Sequence, residues 1–263
     1  MKIHPNDEIL EISYHGKIEK YEKSAAKDFK AILKEAVESS PKVDAQDQRP
    51  PINTISEIQS NTFCLGEREP VGKVLSVQGK VRIIHKDMAR DYWAKKDLSL
   101  HKGDSIITQE KSQVRFKLND GSIITMGSRT KLVLNRSVYD PKKKTRSSFF
   151  EISLGKARFW LKKLFDLRLS ESKVKTPTAV MGVRGSDFII KATPKLTEVT
   201  ALKDTLLEVV SLAFPEVKPA VVTDFQRTIV EKGSLPTEVE MVPPEEIEEM
   251  KKEFTVTPET VVS

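Results

Sequence analysis

One cysteine in 263 residues, Cys64, excludes an internal disulfide. It stands in a stretch of linker composition and reads as a spectator. No apolar run approaches the roughly 18 residues that a membrane-crossing helix needs. The first 30 residues carry no apolar block of signal-peptide type. The chain is therefore expected to start in the cytoplasm without a Sec signal. Histidine is scarce: His4, His15, His85 and His101 are scattered, without the spacing of metal ligands. Asp104, Asp120 and Asp187 each stand in a turn context, where a carboxylate caps backbone N–H groups. None of them pairs in sequence as a general acid and base would. The residues point to no catalytic group, no metal and no cofactor.

Charge, by contrast, is plentiful and uneven. Apolar residues make up 38% of the chain and charged residues 31%, which fits one core with polar ends. Between Val71 and Leu235 there are 32 Lys and Arg against 17 Asp and Glu. Residues 1–70 have 10 against 13, and residues 236–263 have 2 against 8. A basic body with acidic ends suits an anionic partner, or ends that screen the body.

Three segments follow. Residues 1–69 form an extension. Within it, Ser24 to Ser39 is predicted helical, with Phe29, Ile32, Leu33, Ala36 and Val37 on one apolar stripe. That helix could dock a partner or fold back on the rest of the chain. Pro50-Pro51 marks the linker that follows. Residues 70–235 read as a β domain, because short alternating runs recur with turn signals about every 8 to 12 residues. Val114, Phe116 and Leu118 alternate with polar residues, as do Leu132 and Leu134, and Asp120-Gly121 signals a hairpin. Gly79-Lys-Val-Arg and Gly155-Lys-Ala-Arg echo each other. Residues 236–263 form an acidic tail, with a short helix predicted over Pro244 to Phe254.

The most distinctive stretch is KTPTAVMGVRGSDFII, residues 175–190. Pro177 belongs at an edge or a strand start. Gly182 and Gly185 permit positive φ or close backbone approach. Ser186 and Asp187 can close local turns, and Phe188 and Ile190 restart alternation. Arg184 is read as part of a corner rather than as a catalytic residue. Two segments could bind anions: the PKKKTR loop, with Lys142, Lys143, Lys144 and Arg146, and KARFWLKKLF, with Arg158, Lys162 and Lys163 among aromatics.

In order, VGKVLSVQGKVRI, HKGDSIIT, KLNDGSIITMGS, LGKARFWL and VKTPTAVMGVRGSDFII resemble the FecR domain family over roughly residues 70–235. The resemblance implies a mainly β module, solenoid-like or sandwich-like and twisted. In its best-known setting that domain is periplasmic and passes on a signal. Other members are stand-alone binding or scaffold modules. The expected function is a non-enzymatic binding or scaffold module in signalling or envelope-associated assembly, with a protein partner. The alternative is a polyanion or nucleic-acid binder acting through the basic β domain.

Overall fold

Alternation of apolar and polar residues pairs the chain into two β-sheets that share one strand. The computed structural model describes residues 69–85, 91–164, 169–183 and 186–255. The predicted helix over Ser24 to Ser39 lies outside them. So do Arg184 and Gly185.

Among the described residues seventeen strands are divided between the sheets. Sheet A runs β4 (Ser99–Leu100), β1 (Gly72–Gln78), β6 (Gln113–Leu118), β7 (Ile123–Met126), the end of β9 (Thr145–Trp160), β12 (Asp187–Ala192), β13 (Leu196–Ala201), β16 (Gln226–Glu231) and β17 (Glu240–Met241). Sheet B runs β3 (Asp91–Trp93), β2 (Val81–Ile84), β5 (Ser105–Thr108), β8 (Lys131–Asp140), the start of β9, β10 (Leu169–Lys175), β11 (Ala179–Val183), β14 (Leu206–Ser211) and β15 (Ala220–Thr223). All these pairings are antiparallel except β9 with β10. Both sheets are open at their ends among the described residues.

The inward residues of both sheets form one core, which takes in Val74, Phe116, Phe159 and Phe188 from sheet A and Ile83, Ile106, Leu132 and Val209 from sheet B. Two facing layers are what strands with one apolar face must build to bury it. Phe159 stacks on Phe188 with ring centroids 5.1 Å apart, and lies 5.6 Å from Phe150. The strand β9 carries the change of sheet. Arg146, Ser148, Phe150 and Ile152 point inward from sheet B, and then Ala157 and Phe159 point inward from sheet A. The inward parity switches from even to odd across Gly155, which has φ +100°.

The GK-x-R echo marks a repeated corner. Lys80 N–H, just after Gly79, donates to Ser112 Oγ at 2.8 Å. Lys156 N–H, just after Gly155, donates to Thr130 Oγ1 at 2.9 Å. Asp187 N–H, just after Ser186, donates to Thr205 Oγ1 at 3.0 Å. Ser112 Oγ donates onward to the Glu110 carbonyl at 3.0 Å, whereas Thr130 Oγ1 lies nearer the Lys156 carbonyl, at 3.0 Å, and Thr205 Oγ1 nearer the Asp187 carbonyl, at 2.7 Å. The residue before each hydroxyl, Lys111, Arg129 or Asp204, has positive φ. Every one of these corners clips together two places where the chain passes from one sheet to the other. The left-handed residue turns the backbone, and the hydroxyl satisfies an N–H that the turn takes out of the ladder.

The C-terminal segment differs from a free acidic tail. Helix α1 (Pro244–Lys252) stops short of the predicted Phe254. Ile247, Met250 and Phe254 pack with Ile189, Leu202 and Val242 in a second, smaller cluster. Arg227 reaches Glu240 at 2.7 Å and Glu246 at 2.6 Å, and Lys156 reaches Glu253 at 2.8 Å. As far as Thr255 the tail is thus part of the fold, because its apolar face has sheet A to cover. Three of its glutamates, Glu240, Glu246 and Glu253, are engaged by basic residues of the domain.

Candidate functional site

Two kinds of polar group stand out. One kind is buried and internally paired; the other lies at the β3 edge of sheet B.

Asp120, Gly121 and Ser122 close the β6–β7 hairpin, as the Asp-Gly signal predicts. The loop is four residues long rather than two, and Gly121 takes φ +88°. Asp120 accepts from Ser122 N–H at 2.8 Å and from its hydroxyl at 2.9 Å. It also meets Arg146, whose Nη1 lies 3.3 Å from Asp120 Oδ2. Arg146 is only 1% exposed. It donates further to the Lys162 carbonyl at 2.6 Å and to Ser170 Oγ at 2.8 Å. This corrects the reading of Arg146 as an anion-binding loop residue. It opens β9 and points into the domain, where burial obliges a guanidinium to find a carboxylate.

Arg158 is likewise engaged. Its Nε and Nη2 donate to the two oxygens of Asp187 at 2.9 and 2.7 Å. That bidentate bond is the main cause holding Arg158 more firmly charged than an ordinary arginine, against the effect of burial. Lys142, Lys143 and Lys144 are exposed at the β8–β9 tip, and Lys162 and Lys163 are exposed after β9. Asp140 accepts from the backbone N–H groups of Lys142 and Lys143 at 3.0 and 2.9 Å. The Lys143 bond is the chief reason its carboxyl sits below the usual range. Asp140 therefore shapes the lysine loop and offsets part of its charge.

Within the GVRG block, Pro177 is exposed in the bend between β10 and β11. Gly182 is a strand residue inside β11, opposite Lys173 and Glu208, so it makes no corner. Ser186 is buried, and its hydroxyl lies 3.3 Å from Leu206 N and 3.4 Å from Leu206 O. Asp187 pairs with Arg158, and Phe188 enters the core. β11 ends at Val183 in sheet B and β12 starts at Asp187 in sheet A; Arg184 and Gly185, read as the corner, lie outside the described residues.

At the β3 edge the residues are of a different kind. Asp91, Tyr92 and Trp93 are all exposed, Trp93 to 60%. They pair with β2 on one side only among the described residues. Arg82 bonds Asp91 at 2.9 Å and pins the strand. Beside them, His85 and His101 converge on Asp104, which the scattered histidine spacing gave no reason to expect. His85 Nδ1 lies 2.5 Å from Asp104 Oδ1. The His101 backbone N–H donates to Asp104 Oδ2 at 2.8 Å, and its ring Nδ1 is 3.9 Å from the same oxygen. Asp104 is fully buried, and the His85 ring lies 5.3 Å from Tyr92 and 5.4 Å from His101.

Residues 104–206 match the family model described as FecR protein, so this part of the chain is similar to a FecR domain. It runs from the start of β5 to the start of β14. Among solved structures, the chain is similar to two crystal structures of "a putative anti-sigma factor from Parabacteroides distasonis ATCC 8503", at 1.65 and 2.50 Å resolution. Identities are 18% and 17%, with TM-scores of 0.44 and 0.43. The similarity covers 56% and 55% of this chain, and 64% and 62% of theirs, which is less than two thirds of their length. No curated protein matches the chain.

Proposed function

We propose that the chain is a signalling-related, non-enzymatic binding module that engages a protein partner through the β3 edge of sheet B. The observation that carries this reading is the edge itself. Among the described residues β3 pairs with β2 on one side, and it carries two exposed aromatic side chains, Trp93 at 60% and Tyr92 at 40% exposure. Natural sheets usually blunt such an edge, and an extended segment of another protein can add to it. Exposed Trp and Tyr are the residue types that most often anchor protein contacts. The similarity to a FecR domain supports a binding role over catalysis. The buried Arg146–Asp120 pair and the half-buried Arg158–Asp187 pair support it too, because they bond within the domain and brace the scaffold.

The test is photo-crosslinking in the cells that make the protein, from a crosslinking amino acid at position 93. A second probe at Val138, which is also exposed but lies within β8, serves as control. A discrete protein adduct from position 93, absent from position 138, is the expected result. The same adducts from both positions, or none from 93, would remove the β3 edge from the account.

A polyanion reading keeps one favourable observation. Arg146 bonds the Lys162 carbonyl, which brings the Lys142–Lys144 tip and the Lys162–Lys163 segment to one end of sheet B. A binder of that kind loses affinity steeply and linearly in log salt. Retention on a heparin-like column that barely changes with salt would discard it.

A further inference from the structure

We infer that His85, His101 and Asp104 form a site for a divalent transition-metal ion, with Zn²⁺ the best match. One ligand atom from each residue lies within 4.8 Å of the others. Three features make this more than a chance meeting of polar groups. First, the fold assembles the site from separate segments: His85 follows β2, His101 follows β4, and Asp104 precedes β5. The pairing of β2 with β5, Ile84 opposite Ser105, sets His85 beside Asp104. Second, the carboxylate is fixed before any ion arrives. Asp104 is fully buried, and Oδ2 is held by the His101 backbone N–H at 2.8 Å, which leaves Oδ1 facing His85. Third, both imidazoles are partly exposed, at 11% and 25% of the side chain, so an ion can reach them from solvent.

The donor set decides the class of ion. Two imidazole nitrogens and one carboxylate oxygen suit Zn²⁺ and its transition-metal neighbours. Ca²⁺ and Mg²⁺ prefer sites made of oxygen alone. At metal–ligand distances of about 2.0–2.1 Å, tetrahedral ligand atoms sit about 3.3 Å apart. The 2.5 Å between His85 Nδ1 and Asp104 Oδ1 must open slightly, and the His101 ring must swing inward. A His85 ring that ligates the ion through Nδ1 is neutral and carries its proton on Nε2. Three protein ligands leave a fourth position for water or for a group from a partner. Tyr92 of the exposed edge lies beside that site, but the inference stands on the three ligands and does not need the β3 edge to bind a protein.

The full-length chain, stripped of metal with a chelator, is titrated with ZnCl₂ by calorimetry, and with Co²⁺ while its visible ligand-field bands are followed. The N-terminal residues His4, His15 and Cys64 could also bind Zn²⁺, so the variant H4A/H15A/C64S is titrated in parallel. His101→Ala is the deciding substitution, because its backbone N–H, and with it the turn, is retained. We expect one equivalent of Zn²⁺ bound by the parent and by H4A/H15A/C64S, with a higher unfolding midpoint on loading. His101→Ala should weaken binding at least about tenfold, which is the least that loss of a group merely supporting a metal ligand costs. Circular dichroism of the metal-free His101→Ala protein checks that it folds. Unchanged affinity in a folded His101→Ala chain, loss of binding in H4A/H15A/C64S, or no Zn²⁺ uptake by the parent would overturn the site.

Discussion

Gly155→Ala should destabilise the domain by about 3 kcal/mol or more, and Gly233→Ala by only about 1 kcal/mol, although both glycines have positive φ. The two differ in what a Cβ would meet. At Gly155 it would run into Thr130 Oγ1, and would lie 2.5 Å from Thr130 Cα and 2.6 Å from the Arg129 carbonyl. Two of those three contacts are with backbone, so no rotamer change relieves them. At Gly233 nothing lies within 4 Å. Gly233→Ala therefore reports backbone strain alone, and the difference between the variants reports the close approach of β9 to the Arg129–Thr130 corner. The position matters because β9 leaves sheet B and joins sheet A there. Chemical denaturation of both variants measures the difference. Equal losses would show that φ alone makes glycine necessary at 155.

Asp120→Ala is the second large effect. It leaves the Arg146 guanidinium, 1% exposed, without its carboxylate. Removing one partner of a buried pair costs about 3–5 kcal/mol, mostly because the other charge stays buried. Replacing both partners with apolar residues, as in D120L/R146M, avoids that penalty. It still leaves the Lys162 carbonyl and the Ser170 hydroxyl without their donor. The double variant should nevertheless be more stable than Asp120→Ala alone. Urea midpoints of the two proteins decide the matter. A double variant less stable than the single would mean that Arg146 acts chiefly through its bonds to Lys162 and Ser170 rather than through its pairing with Asp120.

How much of this was legible in the sequence differs from residue to residue. Alternation is a local property, so Val114, Phe116, Leu118, Leu132 and Leu134 were readable as inward-facing residues, and all are buried. The FecR resemblance was legible for the same reason, because its motifs are short turns and strands in a fixed order. The repeated corner was half legible. The two glycines echo in sequence, but their partners Lys111-Ser112 and Arg129-Thr130 share only a hydroxyl after a left-handed residue. The third corner, at Ser186 and Thr205, has no glycine at the matching place. The burial of Arg146 was hidden because its carboxylate is 26 residues away in a different hairpin. In sequence, Arg146 closely follows three lysines. The histidine cluster was hidden more completely. His85 and Asp104 are 19 residues apart, and only strand pairing brings them together. The acidic tail misled because its composition is that of a solvated segment. Its few apolar residues, Ile247, Met250 and Phe254, lie on one side and find a matching patch on sheet A.

Strand β9 pairs in both sheets, which should make them one cooperative body, with β3, paired on one side among the described residues, at its rim. Native-state hydrogen exchange across the described strands tests this most directly. Amides of Phe150 and Ile152 on the sheet B side of β9, and of Ala157 and Phe159 on the sheet A side, should exchange with one shared free energy, equal to that of global unfolding. Amides of Tyr92 and Trp93 should exchange far earlier. Separate free energies for the two halves of β9, or protection at β3 as strong as at Phe159, would contradict the account.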